Sequence, residues 1–144
     1  MRILPALLLC LLPSQSPAWE AGVEGRLCTL DHAGETAEVR LTYDSAGPEY
    51  TISISRAEPW PEAPVFAMEF VGLQARRIAT TRHVLSQDRL TLTVIDRGFG
   101  NVLDGLAFNS QALAESGEAS VLIDLTGAAP EVAAFRACGT TPAV

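Results

Sequence analysis

Few side chains in this 144-residue chain could carry chemistry. It holds two histidines, three cysteines and no lysine, so nucleophile, base and metal-ligand sets are all short of members. His83, Ser86 and Asp88 are the residue types of a hydrolytic triad, but they crowd into one hairpin. Alternate side chains of a hairpin point to opposite faces and do not converge on one substrate. There is no Gly-x-Ser-x-Gly elbow to expose a serine. A zinc site would have to gather Asp31, His32 and Asp44, and neither His-x-His nor His-Glu-x-x-His spacing supports that. No metal and no cofactor are expected. Asp96 and Asp104 are the one carboxylate pair that flanks a glycine loop, and in an acidic chain paired carboxylates discriminate little.

That loop, Asp96-Arg-Gly-Phe-Gly-Asn101, is the candidate site. It is not a phosphate loop, because the Lys-Ser/Thr end is missing and Leu103 stands where a third glycine would be. One reading is structural: Gly98 and Gly100 supply left-handed backbone at a strand-to-helix junction while Phe99 packs over the core. The other is functional: Arg97, Gly98, Gly100 and Asn101 meet a small anion with backbone N–H groups at a helix start.

The elements that would position this loop follow from period-two patterning. Arg26 to Leu30 is the first expected strand, after a polar lead-in from Trp19 to Gly25 and before a turn over residues 31–35. Glu38–Asp44 and Glu49–Ser55 alternate cleanly, with Val39, Leu41 and Tyr43 facing Tyr50, Ile52 and Ile54 across a hairpin with one wet face. Three prolines in the stretch from Glu58 to Pro64 exclude a central strand there and leave Trp60 as an anchor packed on the sheet edge. Residues 65–71, 76–81 and 90–95 read as a three-stranded meander, with Phe66, Met68 and Phe70 on its core face. Asn101 is placed to cap a helix containing Val102, Leu103 and Leu106. Residues 110–116 are ambiguous. Ala119 to Leu125 is the last strand, with Val121, Ile123 and Leu125 inward. A short helix follows, with Pro130 in its first turn, Val132, Phe135 and Cys138 on its buried side, and Gly139 as its stop. The sum is a mainly β fold, a curled antiparallel sheet or β-sandwich of six to seven strands with a short C-terminal helix, α+β being the alternative.

Residues 1–18 read as a secretory signal peptide. Arg2 precedes an apolar run too short to span a bilayer, and Ser16-Pro-Ala18 places small residues before a cut at Trp19. No later stretch reaches the length of a membrane span. Residues 19–144 then form one domain, and Cys28 and Cys138 are the two cysteines left to it. In an oxidising compartment they are expected to pair. All ten basic residues are arginine against 17 acids, for a formal charge of -7. Positive charge clusters only at Arg76-Arg77 and the nearby Arg82, which argues against nucleic acid and anionic membrane surfaces as partners.

Three segments carry a resemblance: Trp60-Pro-Glu-Ala-Pro-Val-Phe66, the run from Asp96 to Leu106, and Gly127 to Cys138. They resemble a group of small uncharacterised secreted proteins of proteobacteria, some of which bear the name of an excinuclease component. The likeness covers essentially all of residues 19–144, and Cys28 and Cys138 match cysteines expected in that group. It implies a secreted domain and supplies no catalytic residues. The excinuclease name does not fit: that enzyme component is a large cytoplasmic ATPase, and this chain has an export signal and no phosphate loop. The expectation is a periplasmic or secreted non-enzymatic binding or accessory module, monomer or weak dimer, whose partner is a small anionic ligand or an envelope protein. The alternative is an envelope structural or protein-interaction domain; a hydrolase ranks third.

Overall fold

The computed structural model describes residues 10–11 and 19–140. The proposed signal peptide, apart from Cys10 and Leu11, and the tail after Thr140 lie outside the described residues. In chain order the elements are β1 (Trp19–Glu24), β2 (Leu27–Ala33), β3 (Ala37–Asp44), β4 (Glu49–Arg56), β5 (Phe66–Val71), β6 (Arg76–Thr80), β7 (Val84–Leu85), β8 (Thr91–Asp96), α1 (Gly100–Phe108), β9 (Gln111–Ser116), β10 (Ala119–Asp124) and α2 (Ala128–Thr140). They build two antiparallel sheets, ordered β1-β2-β3-β4-β8-β7 and β10-β9-β5-β6. Both sheets contribute to one core, and the fold is mainly β as expected.

Alternation places the core faces. In β3 and β4, Leu41 lies opposite Ile52 and Val39 opposite Ile54, all fully or almost fully buried, while Arg40, Thr42, Ser53 and Ser55 form the wet face. On that face Ser55 and Thr91, and Ser53 and Thr93, pair hydroxyls across β4 and β8. In the second sheet Phe66, Met68 and Phe70 turn inward beside Ala112 and Ala114. Trp60 is wholly buried, donates its indole N–H to the Ile54 carbonyl at 3.1 Å, and stacks under the Arg56 guanidinium. It is a core residue, not an edge anchor.

The described residues form ten strands where six or seven were expected. The lead-in from Trp19 is a full edge strand, and β2 runs on through the expected turn as far as Ala33. Cross-strand stacking explains both extensions: Trp19 lies opposite His32 with ring centroids 4.4 Å apart, and both residues are buried. The ambiguous stretch after Ser110 is β9, the central partner of β5 and β10. The meander over residues 65–95 does not form. β5 and β6 make a hairpin in one sheet, while β8 crosses to the other and pairs with β4. Period two shows which residues share a face; it does not say which strand lies alongside.

The disulfide joins Cys28 of β2 to Cys138 of α2, with Cα atoms 6.0 Å apart and a sequence separation of 110. Its helix was expected to stop at Gly139 and instead continues to Thr140. Gly139 serves close packing: a β-carbon there would lie 3.2 Å from the Tyr43 ring, and Tyr43 is the cross-strand neighbour of Cys28.

Candidate functional site

The two sheets are tied along one side and part along the other. On the tied side the Trp19 indole of β1 donates to the Asp124 carbonyl of β10 at 2.9 Å. Helix α2 covers the β1 edge, where Glu131 accepts the amide of Ala21. On the other side β7 is only two residues long and pairs only with Leu92 and Thr93. Val94, Ile95 and Asp96 of β8 extend beyond it, and β6 is the edge of the facing sheet.

A cleft of about 410 Å³ opens where these edges diverge. Ile52 and Val94 line it from one sheet, Phe66, Met68 and Ile78 from the other, and Phe99 and Val102 close it from the start of α1. Phe99 is held by aromatic contact with Tyr50, which also packs on Tyr43. Burial raises the pKa of the Tyr50 phenol above its ordinary value. The polar lining is sparse: Thr80, Asp96 and Asn101.

The expected ligand loop is at the mouth of this cleft. Gly98, Gly100 and Asn101 line it; Arg97 is exposed between two lining residues and does not line it itself. Asn101 does not cap α1. Phe99 occupies the capping position, no side chain bonds there, and the first turn has no acid. Asn101 sits one residue inside the helix and accepts a hydrogen bond from Arg76 Nη1 at 3.2 Å. Gly98 and Gly100 are not left-handed, in contrast to Gly25, Gly72, Gly117 and Gly127. A β-carbon at either would meet nothing within 4 Å. Their effect is to leave the rim of the cleft open.

Asp96 is held on both oxygens: Oδ1 accepts the amide of Arg97 at 2.7 Å and Oδ2 accepts Arg82 Nη2 at 2.8 Å. Asp104 pairs with Arg136 on α2, so the two carboxylates that flank the loop serve different arginines. The triad residues are not assembled. Ser86 donates to Asp88 at 2.7 Å within its own turn, while His83 Nε2 lies 2.9 Å from the Ala63 carbonyl oxygen. Asp31 is engaged by Arg40, and among the described residues no three potential ligands group around a metal position.

Sequence reasoning found the loop and missed the floor. Ile52 and Met68 read as ordinary core positions and Ile78 and Val94 only as members of strands, because alternation does not show where two sheets part. Arg76 and Arg82 stood out only as the chain's positive cluster; the fold brings each within hydrogen-bond distance of a lining residue. Comparison of the chain with protein-family models, with curated proteins and with solved structures finds no match.

Proposed function

We propose that this chain is a non-enzymatic binding module of the periplasm or extracellular space, with its ligand held in the cleft between β6, β8 and the start of α1. The observation that carries this reading is the cleft itself: an apolar floor, a few convergent polar groups and a volume in the range of small-molecule sites. His83 Nε2 faces the Ala63 carbonyl, and the Ser86 hydroxyl is taken up by Asp88 within its own turn, which favours binding over hydrolysis by this set. The export signal read in residues 1–18, the Cys28–Cys138 bond and the resemblance to secreted proteobacterial proteins support the compartment. The test is chemical-shift mapping with a neutral, environment-sensitive dye. Shifts should cluster at Ile78, Val94, Gly98 and Gly100, and Gly98→Phe should abolish them by filling the mouth. Shifts centred on another face would refute the cleft as the site.

The second reading, an envelope structural or protein-interaction domain, is favoured by one corner of the molecule. Leu73 in the β5–β6 turn is 99% exposed, and Val71 and Phe108 beside it are about half exposed. Sedimentation velocity over rising concentration would then show self-association that Leu73→Ser removes.

A further inference from the structure

The charges around the cleft narrow the chemistry of its ligand. Nine arginines lie in the described residues, and Arg26, Arg40, Arg56, Arg77, Arg82 and Arg136 each pair with a carboxylate. Acids outnumber bases in this chain, yet Arg76, Arg89 and Arg97 form no ion pair among the described residues. Two of these three adjoin residues that line the cleft. Arg76 reaches Asn101 with one N–H, which leaves the rest of its five donors uncommitted, and Arg97 lies between the lining residues Asp96 and Gly98. Arg82 is the third arginine at this rim, in contact with Asp96. The first three residues of α1 also border the cleft, and no side chain caps the helix and no acid offsets its dipole. Against these stands one carboxylate, Asp96, already held by Arg82 and the Arg97 amide. Among the described residues an apolar cavity thus opens through a mouth of net positive charge on a molecule of formal charge -7.

We infer that the cleft takes a single-chain amphipathic acid, its apolar body between Ile52, Met68, Ile78 and Val94 and its anionic group at Arg76, Arg97 and the start of α1. This rests on the cleft being the binding site and goes further by naming the ligand class. Burial of the chain supplies most of the affinity, because the floor is apolar. The arginines supply discrimination, because hydrogen bonds to charged groups are stronger than neutral ones. A free acid is favoured over a phospholipid headgroup in a bilayer, because the net negative charge repels an anionic membrane while the local mouth does not repel a single anion.

The experiment is isothermal titration of the purified protein with decanoate and, separately, with decanol, which shares the chain and lacks the charge. Decanoate should bind about tenfold more tightly, the ratio that one added charged hydrogen bond supports. Arg76→Gln combined with Arg97→Gln should reduce decanoate to the level of decanol and leave decanol unchanged. Asp96→Asn should act in the opposite direction and tighten decanoate, since it removes the one negative charge at the mouth. Added salt should weaken decanoate only. Equal binding of the two probes, insensitive to the arginine pair, overturns the acid while leaving the cleft as the binding site. Failure of both probes to bind overturns the cleft as well. Vesicles of phosphatidylglycerol that bind as strongly as decanoate overturn the choice of a free single chain.

Discussion

The indole of Trp19 donates to the backbone carbonyl of Asp124 across 105 positions of sequence, joining the edge strand of one sheet to the edge strand of the other. The bond fixes the tied side of the fold and, by contrast, makes the β6–β8 side the one that opens. Trp19 is almost wholly buried, and its ring also stacks on His32. Trp19→Phe keeps an aromatic ring and removes the donor, leaving the Asp124 carbonyl unpaired by the side chain; the expected cost is about 1 kcal/mol. Trp19→Ala removes the packing as well, and the expected cost is about 3–5 kcal/mol. Urea denaturation of both variants checks this, and a Trp19→Phe protein as stable as the parent would show that the hydrogen bond contributes nothing.

The Cys28–Cys138 bond encloses most of the described chain, and a loop of that length corresponds to about 4–5 kcal/mol in the chain-entropy picture, with measured values often smaller. The double variant Cys28→Ala, Cys138→Ala should lose a few kcal/mol of stability and keep dye binding, because neither residue lines the cleft. Peptide mapping without reductant should recover the two cysteines in one linked fragment. Two alkylatable thiols in native protein would refute the bond.

The glycines of the α1 region should separate sharply. Gly98→Ala and Gly100→Ala are expected to leave stability within about 0.5 kcal/mol, since neither backbone is left-handed and neither added methyl meets an atom. Gly105→Ala places a β-carbon 2.5 Å from Phe70 Cδ2, and Phe70 is fully buried with no room to yield. Overpacking of that kind costs about 1–3 kcal/mol or more, which outweighs the roughly 1 kcal/mol gained in helix propensity. Thermal midpoints of the three variants measure the contrast; a Gly105→Ala protein as stable as the parent would overturn it.

Acid should destabilise the fold late. Hydrogen bonds from Arg40 hold the Glu24 carboxyl below its ordinary value, the Thr126 hydroxyl and amide do the same for Asp124, and the Ser86 hydroxyl and Leu90 amide for Asp88. A carboxyl whose folded pKa is depressed contributes stability above its unfolded pKa, near 4, and loses that contribution as pH falls through the folded value. The contribution from these groups should therefore be constant from pH 7 to about 5 and decline below about 4. All three sit at the surface, so each share is small and screened by salt. Urea midpoints across this range test it, with Asp124→Asn expected to show a shallower acid limb. A midpoint for the Asp124→Asn protein that falls as steeply in acid as the parent's would refute the role of Asp124.

Much of the fold was legible because strand alternation is a local property. Val39, Leu41, Ile52 and Ile54 announce an inward face, Phe66, Met68 and Phe70 another, and the α2 stripe of Val132 and Phe135 a third; all are buried. The extra strands were hidden for a physical reason. β1 is an edge strand containing Ala21 and Gly22, and its inward signal is mainly Trp19, whose partner His32 reads as a turn residue until the two rings stack.

The loop from Asp96 to Asn101 was visible because glycines, an arginine and a helix start lie together in sequence. Sequence alone also determined the acidic balance, the scarcity of histidine and the cysteine pair, each of them a matter of composition or count. Tertiary structure decided what the loop borders. The partition of β6 and β8 into different sheets creates the cleft, and it brings Arg76 and Arg82 into contact with the lining residues Asn101 and Asp96. Neither could be read in advance. A strand chooses its neighbour through contacts between residues far apart in the chain, and Val94 has the same alternation signal whether it faces a filled core or an open cleft.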